Sequence, residues 1–125
     1  MTGRSSRGMG LRRRTDHLRG FGQVGTNVSI EEGKRLARLA GLSILGSLQR
    51  ELGTLDRITG WCRAFGMVNC AVGFDKPHAV INGFSELILE VFGEQVGQHG
   101  RSAVGVAGLP LNFAVEVEAE VMIRP

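Results

Sequence analysis

Arg101 is the side chain whose surroundings most favour a chemical role. It opens the segment Arg101–Ala107, in which every other residue is small or apolar, so a charged group stands in sequence typical of a strand. A guanidinium is a planar fork of donors that suits bidentate capture of a carboxylate. The spacing gives equal weight to this role and to a structural one, in which Arg101 merely begins a strand at the surface or pairs with a glutamate of the last strand.

Two further positions could serve the same site. Glu116, Glu118 and Glu120 alternate with apolar residues and are therefore expected on one face of a strand. Like charges along a face are usually solvated, but an acid that faces a cleft between subunits could orient or deprotonate water. Asn82 lies one position beyond the apolar stripe of a predicted helix, which favours a place at the surface or at the helix edge.

The sequence lacks the motifs of several enzyme classes. No Gly-rich phosphate loop follows a strand, no nucleophile elbow is present, and no cysteine and histidine cluster has metal-ligand spacing. Cys62 and Cys70 occupy one predicted strand, whose period of two would put them on the same face about 26 Å apart, beyond disulfide reach. Unpaired cysteines favour a reducing, cytoplasmic setting. His17, His78 and His99 are scattered and are interpreted as solvated surface residues.

The first helix is predicted at 29–52. Ser29 and Glu32 form the S-x-x-E pattern in which a side chain and the backbone satisfy each other at a helix start. Gly53 stands where a helix C-cap is expected. Apolar residues recur between these ends at helical spacing, which indicates a helix with one buried face.

The second helix has the clearest pattern in the chain. Asp75 is available to cap it, Pro77 is tolerated in its first turn, and Gly93 is predicted to end it. Its apolar positions trace one face: Val80, Ile81, Phe84, Leu87, Ile88, Val91 and Phe92.

Three strands are predicted around these helices. One spans 57–72, and two more lie in the last 25 residues, joined by the segment 108–112. The final strand alternates apolar and mainly acidic residues, which is typical of a half-buried strand. The order helix, strand, helix, strand, strand predicts an α+β domain with two helices packed on one face of a mixed sheet.

Charge is divided unevenly along the chain. Residues 1–20 contain six arginines and one aspartate, and because the whole chain carries +3, residues 21–125 carry −2. We expect residues 1–20 to be a disordered or spurious arm and residues 21–125 to form a single domain. No apolar run reaches the roughly 18 residues of a membrane span, so a membrane is not expected as a partner.

The residues around Arg101 resemble the C-terminal signature of the RidA family, also called YjgF or L-PSP endoribonuclease. The resemblance covers residues 23–124. It rests on six segments: Arg101–Pro110 (RSAVGVAGLP), Val115–Ala119 (VEVEA), Ile81–Gly83, Val91–Gly93, Ser29–Gly33 and Ala37–Ala40.

The resemblance implies a chorismate-mutase-like fold, assembled as a homotrimer with ligand sites in clefts between subunits and with no metal or organic cofactor. Members of the family hydrolyse reactive 2-imino acids and their enamine tautomers to 2-keto acids and ammonia, so the chain would be a hydrolase. By position, Arg101 would hold the substrate carboxylate, Glu116 would position the attacking water, and Asn82 would line the same cleft.

The chain departs from the family pattern in two places. The family normally begins with a strand pair that gives the cleft a Ser-Gly-Gln step and an aromatic residue, whereas here only Gly22–Gly25 resembles the approach to the first helix. We therefore expect the N-terminal strands to be missing or replaced, and we hypothesise that residues 1–20 arise from a mis-assigned start or a change of frame. Ala103 stands where the deaminases often carry cysteine, which places the chain nearer a less characterised branch.

Two other functions are weighed beside imine hydrolysis. A trimer could bind small carboxylates without chemistry, and its affinity would then depend on Arg101 while no ammonia would be released. The arginine-rich arm could bind RNA, in line with the ribonuclease name of the family. This alternative is ranked last, because an arginine run alone is more often a solvated or spurious tail, and nucleic acid is not expected as a partner.

Overall fold

The computed structural model describes residues 20–125, which fold as two helices and a three-stranded sheet. The order of elements and the α+β class agree with the prediction. Residues 1–19, including His17 and nearly all of the predicted arm, lie outside the described range. The elements are α1 (Ile30–Leu52), β1 (Ile58–Asn69), α2 (Pro77–Gly97), β2 (Gly100–Val106) and β3 (Val115–Ile123), with short 3-10 turns at Leu55–Arg57 and Pro110–Asn112.

The ends of α1 confirm the signals read from the sequence. Ser29 is the N-cap, and its side-chain oxygen accepts a hydrogen bond of 3.0 Å from the backbone N–H of Glu32. Gly53 is the C-cap, with a φ of 85° that suits glycine, and its N–H donates to the carbonyl of Gln49 at 2.8 Å. Both ends are therefore set by local residues.

The ends of α2 differ from the prediction. Asp75 does not cap the helix, because Lys76 occupies the N-cap position and the Asp75 carboxylate contacts the Lys76 ammonium at 3.1 Å. Pro77 lies in the first turn as predicted. Gly93 does not end the helix: its φ of 77° interrupts the helical backbone, and a final turn follows through Gly97. This break directs the last turn toward the start of β2.

The sheet is mixed and has the order β2-β1-β3, with β1 parallel to β2 and antiparallel to β3. Helix α2 makes the crossover that a parallel pair requires. Ala64, Gly66 and Val68 of β1 are buried, and a Cβ placed on Gly66 would lie 2.6 Å from the Ile81 side chain of α2. The two helices and this side of the sheet share one hydrophobic core. Within residues 20–125 the opposite face of the sheet carries no helix, and neither helix is long and apolar enough to cross a membrane.

A β-bulge in β1 overturns the predicted placement of the cysteines. The register with β3 shifts between Trp61 and Arg63, so one extra residue of β1 enters the strand and the alternation of faces changes. Cys62 is consequently exposed while Cys70 is buried, and the two thiols are free. The prediction that both lie on one face of a regular strand was wrong because the bulge cannot be seen in the sequence.

The two thiols should therefore react differently. Partial burial raises the pKa of the Cys62 thiol, and the negative charge of Glu120 raises it further. We expect iodoacetamide to alkylate Cys62 more slowly at pH 8 than an unstructured cysteine peptide, with the rate rising as the pH increases and more thiolate forms. Glu120→Gln should speed the reaction at the same pH. Peptide mapping measures the rates; modification of Cys70 before Cys62 in the folded protein would contradict the prediction.

Candidate functional site

Arg101 lies on β2, at the edge of the sheet, and reaches across to α2. Its backbone pairs with Ala64, so its side chain emerges on the face that the helices cover. The half-buried guanidinium donates from Nη2 to the Asn82 Oδ1 at 2.7 Å and to the His78 carbonyl at 3.3 Å, and from Nη1 to the Ser85 Oγ at 3.0 Å. Asn82 and Ser85 are three positions apart on α2 and therefore share one side of the helix.

All three acceptors of the Arg101 guanidinium are neutral oxygen atoms. Among residues 20–125 the guanidinium forms no ion pair with a carboxylate, and the glutamates of β3 are out of reach because β1 lies between β2 and β3. The interpretation that Arg101 pairs with a glutamate of the last strand was therefore wrong. A positive charge held by neutral partners is suited to an anionic ligand.

A cavity of about 330 Å³ opens beside this guanidinium. Asn82, Ser85, His99 and Arg101 provide its polar wall, together with Glu86 and Gln98, and Leu89 provides an apolar side. The volume falls at the lower end of the range of small-molecule sites. The wall thus combines a cation, an amide, a hydroxyl and an imidazole around a space suited to a small carboxylate.

His99 belongs to this site, and the prediction of a solvated surface residue was wrong for it. Its Nε2 lies 3.0 Å from the Ser85 Oγ, its Nδ1 lies 2.7 Å from the Gly97 carbonyl, and its ring meets the Phe84 ring edge-on with centroids 5.9 Å apart. His78, in contrast, is exposed as predicted. The sequence analysis did not identify Ser85 or His99 as site residues. Ser85 lies three positions after Asn82, and His99 lies two positions before Arg101, so their closeness to these residues in the sequence could have been used to find them.

Glu116 lies on the other side of the sheet. It pairs with Met67 of β1, in the set of alternate residues that points away from the helices, whereas Arg101 points toward them. Only 5% of Glu116 is exposed, and Glu118 and Glu120 on the same face are half-buried, so the expectation of a solvated acidic face was wrong. A single chain therefore brings Arg101 and Asn82 together but does not bring Glu116 to them.

The described part of the chain offers no set of ligands for a metal ion. Residues 20–125 contain no group of three histidine, cysteine, aspartate or glutamate side chains arranged to hold a metal ion. The groups available at the cavity are those of hydrogen bonding, ion pairing and proton transfer.

Two helices on one face of a mixed sheet define a small α+β domain of the chorismate-mutase-like class. Residues 13–120 match the family described as "YjgF/chorismate_mutase-like, putative endoribonuclease". The chain belongs to this family, which is the RidA/YjgF family that its sequence resembles.

Similar proteins support the assignment. Protein TCP17 of Trypanosoma cruzi is 45% identical over 103 residues, which are 82% of this chain and 64% of TCP17. The crystal structure of Atu1372 from Agrobacterium tumefaciens, described as having unknown function, superposes with a TM-score of 0.79 at 40% identity and covers 82% of this chain and 66% of that one. The crystal structure of a Shewanella oneidensis protein, described as "a putative endoribonuclease", superposes with a TM-score of 0.80 at 31% identity. It covers 85% of this chain and 70% of that one.

The chain thus spans just under two thirds of the length of TCP17 and of Atu1372. The family match begins at residue 13, inside the arginine-rich segment. What these relatives share with the chain is the family and the fold.

Proposed function

We propose that the protein hydrolyses 2-imino acids and their enamine tautomers to 2-keto acids and ammonia. The observation that carries the proposal is the Arg101 guanidinium, held at a cavity by neutral oxygen acceptors and unpaired with a carboxylate among residues 20–125. A carboxylate entering the cavity would exchange hydrogen bonds with this guanidinium and gain a charge-assisted pair. Membership of the RidA/YjgF family supports the choice of substrate.

Arg101 and Asn82 would fix the orientation of the substrate. The carboxylate binds to the guanidinium, and the Asn82 amide lines the cavity beside it. The imine carbon is already electrophilic, so hydrolysis needs an aligned water and transfer of protons rather than a metal or an organic cofactor. The reaction adds one water, breaks the C=N bond and releases ammonia and the keto acid.

Glu116 would act from a neighbouring subunit. Because it lies on the sheet face opposite Arg101, it could reach an Arg101 site only on another chain, as in a homotrimer with clefts between subunits. The face that carries Glu116 also presents the partly exposed side chains of Phe65, Met67 and Val104, which a neighbour would cover. In this arrangement Glu116 positions the attacking water and accepts its proton.

The second candidate is a trimer that binds small carboxylates without reacting with them. The separation of Arg101 and Glu116 within one chain favours it, because the cation alone suffices for binding. The free thiols Cys62 and Cys70 fit a reducing, cytoplasmic setting for either function.

A complementation experiment tests the shared site. We expect Arg101→Ala and Glu116→Gln each to lower the rate of ammonia release from imines, formed in situ by an amino-acid oxidase, by roughly 100-fold or more. When the two variants are co-expressed in equal amounts and assemble at random, about one quarter of all clefts, counted over pure and hybrid trimers together, pair a native Arg101 with a native Glu116. The mixture should therefore regain roughly a quarter of the native rate.

Glu118→Gln is the matched control, because it removes the same charge from the same face of β3. It should keep the native rate. Folded single variants that have each lost activity, and whose mixture shows no recovery, would contradict a site shared between subunits. A folded native protein that binds a 2-keto acid without speeding ammonia release would replace the deaminase with the binding protein.

A further inference from the structure

We propose that Ser85 and His99 are the proton-transfer pair of the Arg101 site, with the Ser85 hydroxyl contacting the substrate nitrogen and His99 acting through Ser85. The inference rests on the proposed imine hydrolysis and adds two residues to it. Both lie in the same chain as Arg101, on α2 and just before β2, so they are in place without a neighbouring subunit.

Hydrogen bonds link the Gly97 carbonyl, His99, Ser85 and Arg101 in series, and the chemistry of these groups fixes which one donates in each bond. The Gly97 carbonyl can only accept, so the His99 Nδ1 carries a proton and donates to it at 2.7 Å. In the neutral ring the Nε2 is then an acceptor, and the Ser85 hydroxyl donates to it at 3.0 Å. The Ser85 oxygen in turn accepts from the Arg101 Nη1 at 3.0 Å.

The imidazole is held on three sides. The Gly97 carbonyl fixes one ring nitrogen, Ser85 contacts the other, and the Phe84 ring packs against it edge-on. The Gly97 carbonyl is available because Gly97 is the last residue of α2, and the last carbonyls of a helix have no partner within it. A hydroxyl bonded to a histidine that a third group orients is the arrangement with which enzymes move protons at a hydroxyl.

Protonation of the His99 ring reverses the direction of the hydrogen bond between His99 and Ser85. The Nε2 of an imidazolium donates to the Ser85 oxygen, which leaves the Ser85 hydroxyl hydrogen free to point into the cavity. The charged side chains lining that cavity are Arg101 of β2 and Glu86 of α2, while Arg63 of β1 pairs with Gly100 beside His99 and lies on the opposite face. A substrate carboxylate bound to Arg101 would neutralise the nearest positive charge.

The pair would act in both halves of the reaction. In the first, a water oxygen bonds to the imine carbon and the C=N electron pair moves to nitrogen. The nitrogen takes the Ser85 hydroxyl proton, Ser85 takes the Nε2 proton of His99, and the attacking water loses its extra proton to solvent or to Glu116. In the second, the amine takes up that proton and leaves as ammonia when the C–N bond breaks. The carbinol proton returns through Ser85 to His99, which restores the imidazolium.

Kinetics of His99→Gln and Ser85→Ala, with Ser43→Ala as control, test the pair. Ser43 is half-buried on α1, away from the cavity. We expect kcat for imine hydrolysis to fall roughly 100-fold in both variants, the usual range for a lost general acid, while the affinity for pyruvate stays within about threefold. The pH dependence of kcat should change in His99→Gln, and imidazole should partly restore the activity of His99→Ala.

The outcomes separate this inference from the function on which it rests. Native protein that is active, with an unchanged kcat and pH profile in His99→Gln, would overturn the pair alone. Folded native protein without activity would overturn the deaminase and the pair with it. Nitrogen-15 NMR of the His99 ring adds a test that needs no turnover: we expect the neutral ring to carry its proton on Nδ1, and a proton on Nε2 would overturn the chain of donors.

Discussion

Arg101→Ala should weaken binding of a small 2-keto acid such as pyruvate by roughly 30-fold to several thousand-fold. Removing one partner of a desolvated, hydrogen-bonded charge pair costs about 2–5 kcal/mol, and each factor of ten corresponds to about 1.4 kcal/mol. The fold should survive, because the three partners of the guanidinium are neutral groups on α2. Calorimetric titration at fixed ionic strength measures the two affinities.

Arg101→Lys is the matched comparison. Lysine keeps the positive charge but loses the planar fork that bonds to Asn82 and Ser85 simultaneously, so we expect binding between those of the native protein and the alanine variant. Equal affinity for pyruvate in the native protein and in Arg101→Ala would contradict the carboxylate site. That result would remove the observation on which the deaminase and the binding protein both depend.

Gly83→Ala should lower the free energy of unfolding by about 3 kcal/mol or more, at the upper end of the cost of overpacking. A Cβ on Gly83 would lie 2.0 Å from the Lys34 carbonyl oxygen and 2.9 Å from its carbon, and these are backbone atoms of α1 that no side-chain rotation can move. The helices would have to separate where Gly41 of α1 also receives the Leu87 and Phe84 side chains of α2. Urea unfolding at fixed protein concentration measures the loss.

Gly46→Ala provides the control for helix propensity. Gly46 also lies within a helix, but its added Cβ would meet only the end of the Arg50 side chain, at 3.5 Å. We expect this variant to be as stable as the native protein or up to about 1 kcal/mol more stable, because alanine is the better helix former. If Gly83→Ala showed the same gain, the close approach of α1 and α2 would be wrong.

The helices and the class of fold could be predicted because their signals are local. Ser29 and Gly53 bound α1 through bonds to residues three and four positions away, and the apolar period of α2 needs no distant partner to be recognised. The alternation in β3 likewise reports a strand buried on one face. Period and capping follow from backbone geometry, which every helix and strand shares.

Features that depend on the pairing of two elements, or on a break within one, could not be predicted from the sequence. The bulge between Trp61 and Arg63 is a mismatch of β1 against β3, so the separate environments of the cysteines required the pairing of both strands. The resumption of α2 beyond Gly93 also departs from the usual role of glycine as a helix end. In each case a tertiary contact or a local break overrode the regular period.

The candidate site divides in the same way. The sequence by itself determined that Arg101 is unusual among small and apolar neighbours, and its resemblance to the family named Asn82 and Glu116 as partners. Only the tertiary structure decided that Asn82, Ser85 and His99 surround the guanidinium, because the crossing of α2 over the edge strand brings together residues from separate elements. It also decided that Glu116 faces the other way, since the direction of a strand side chain depends on its register in the sheet.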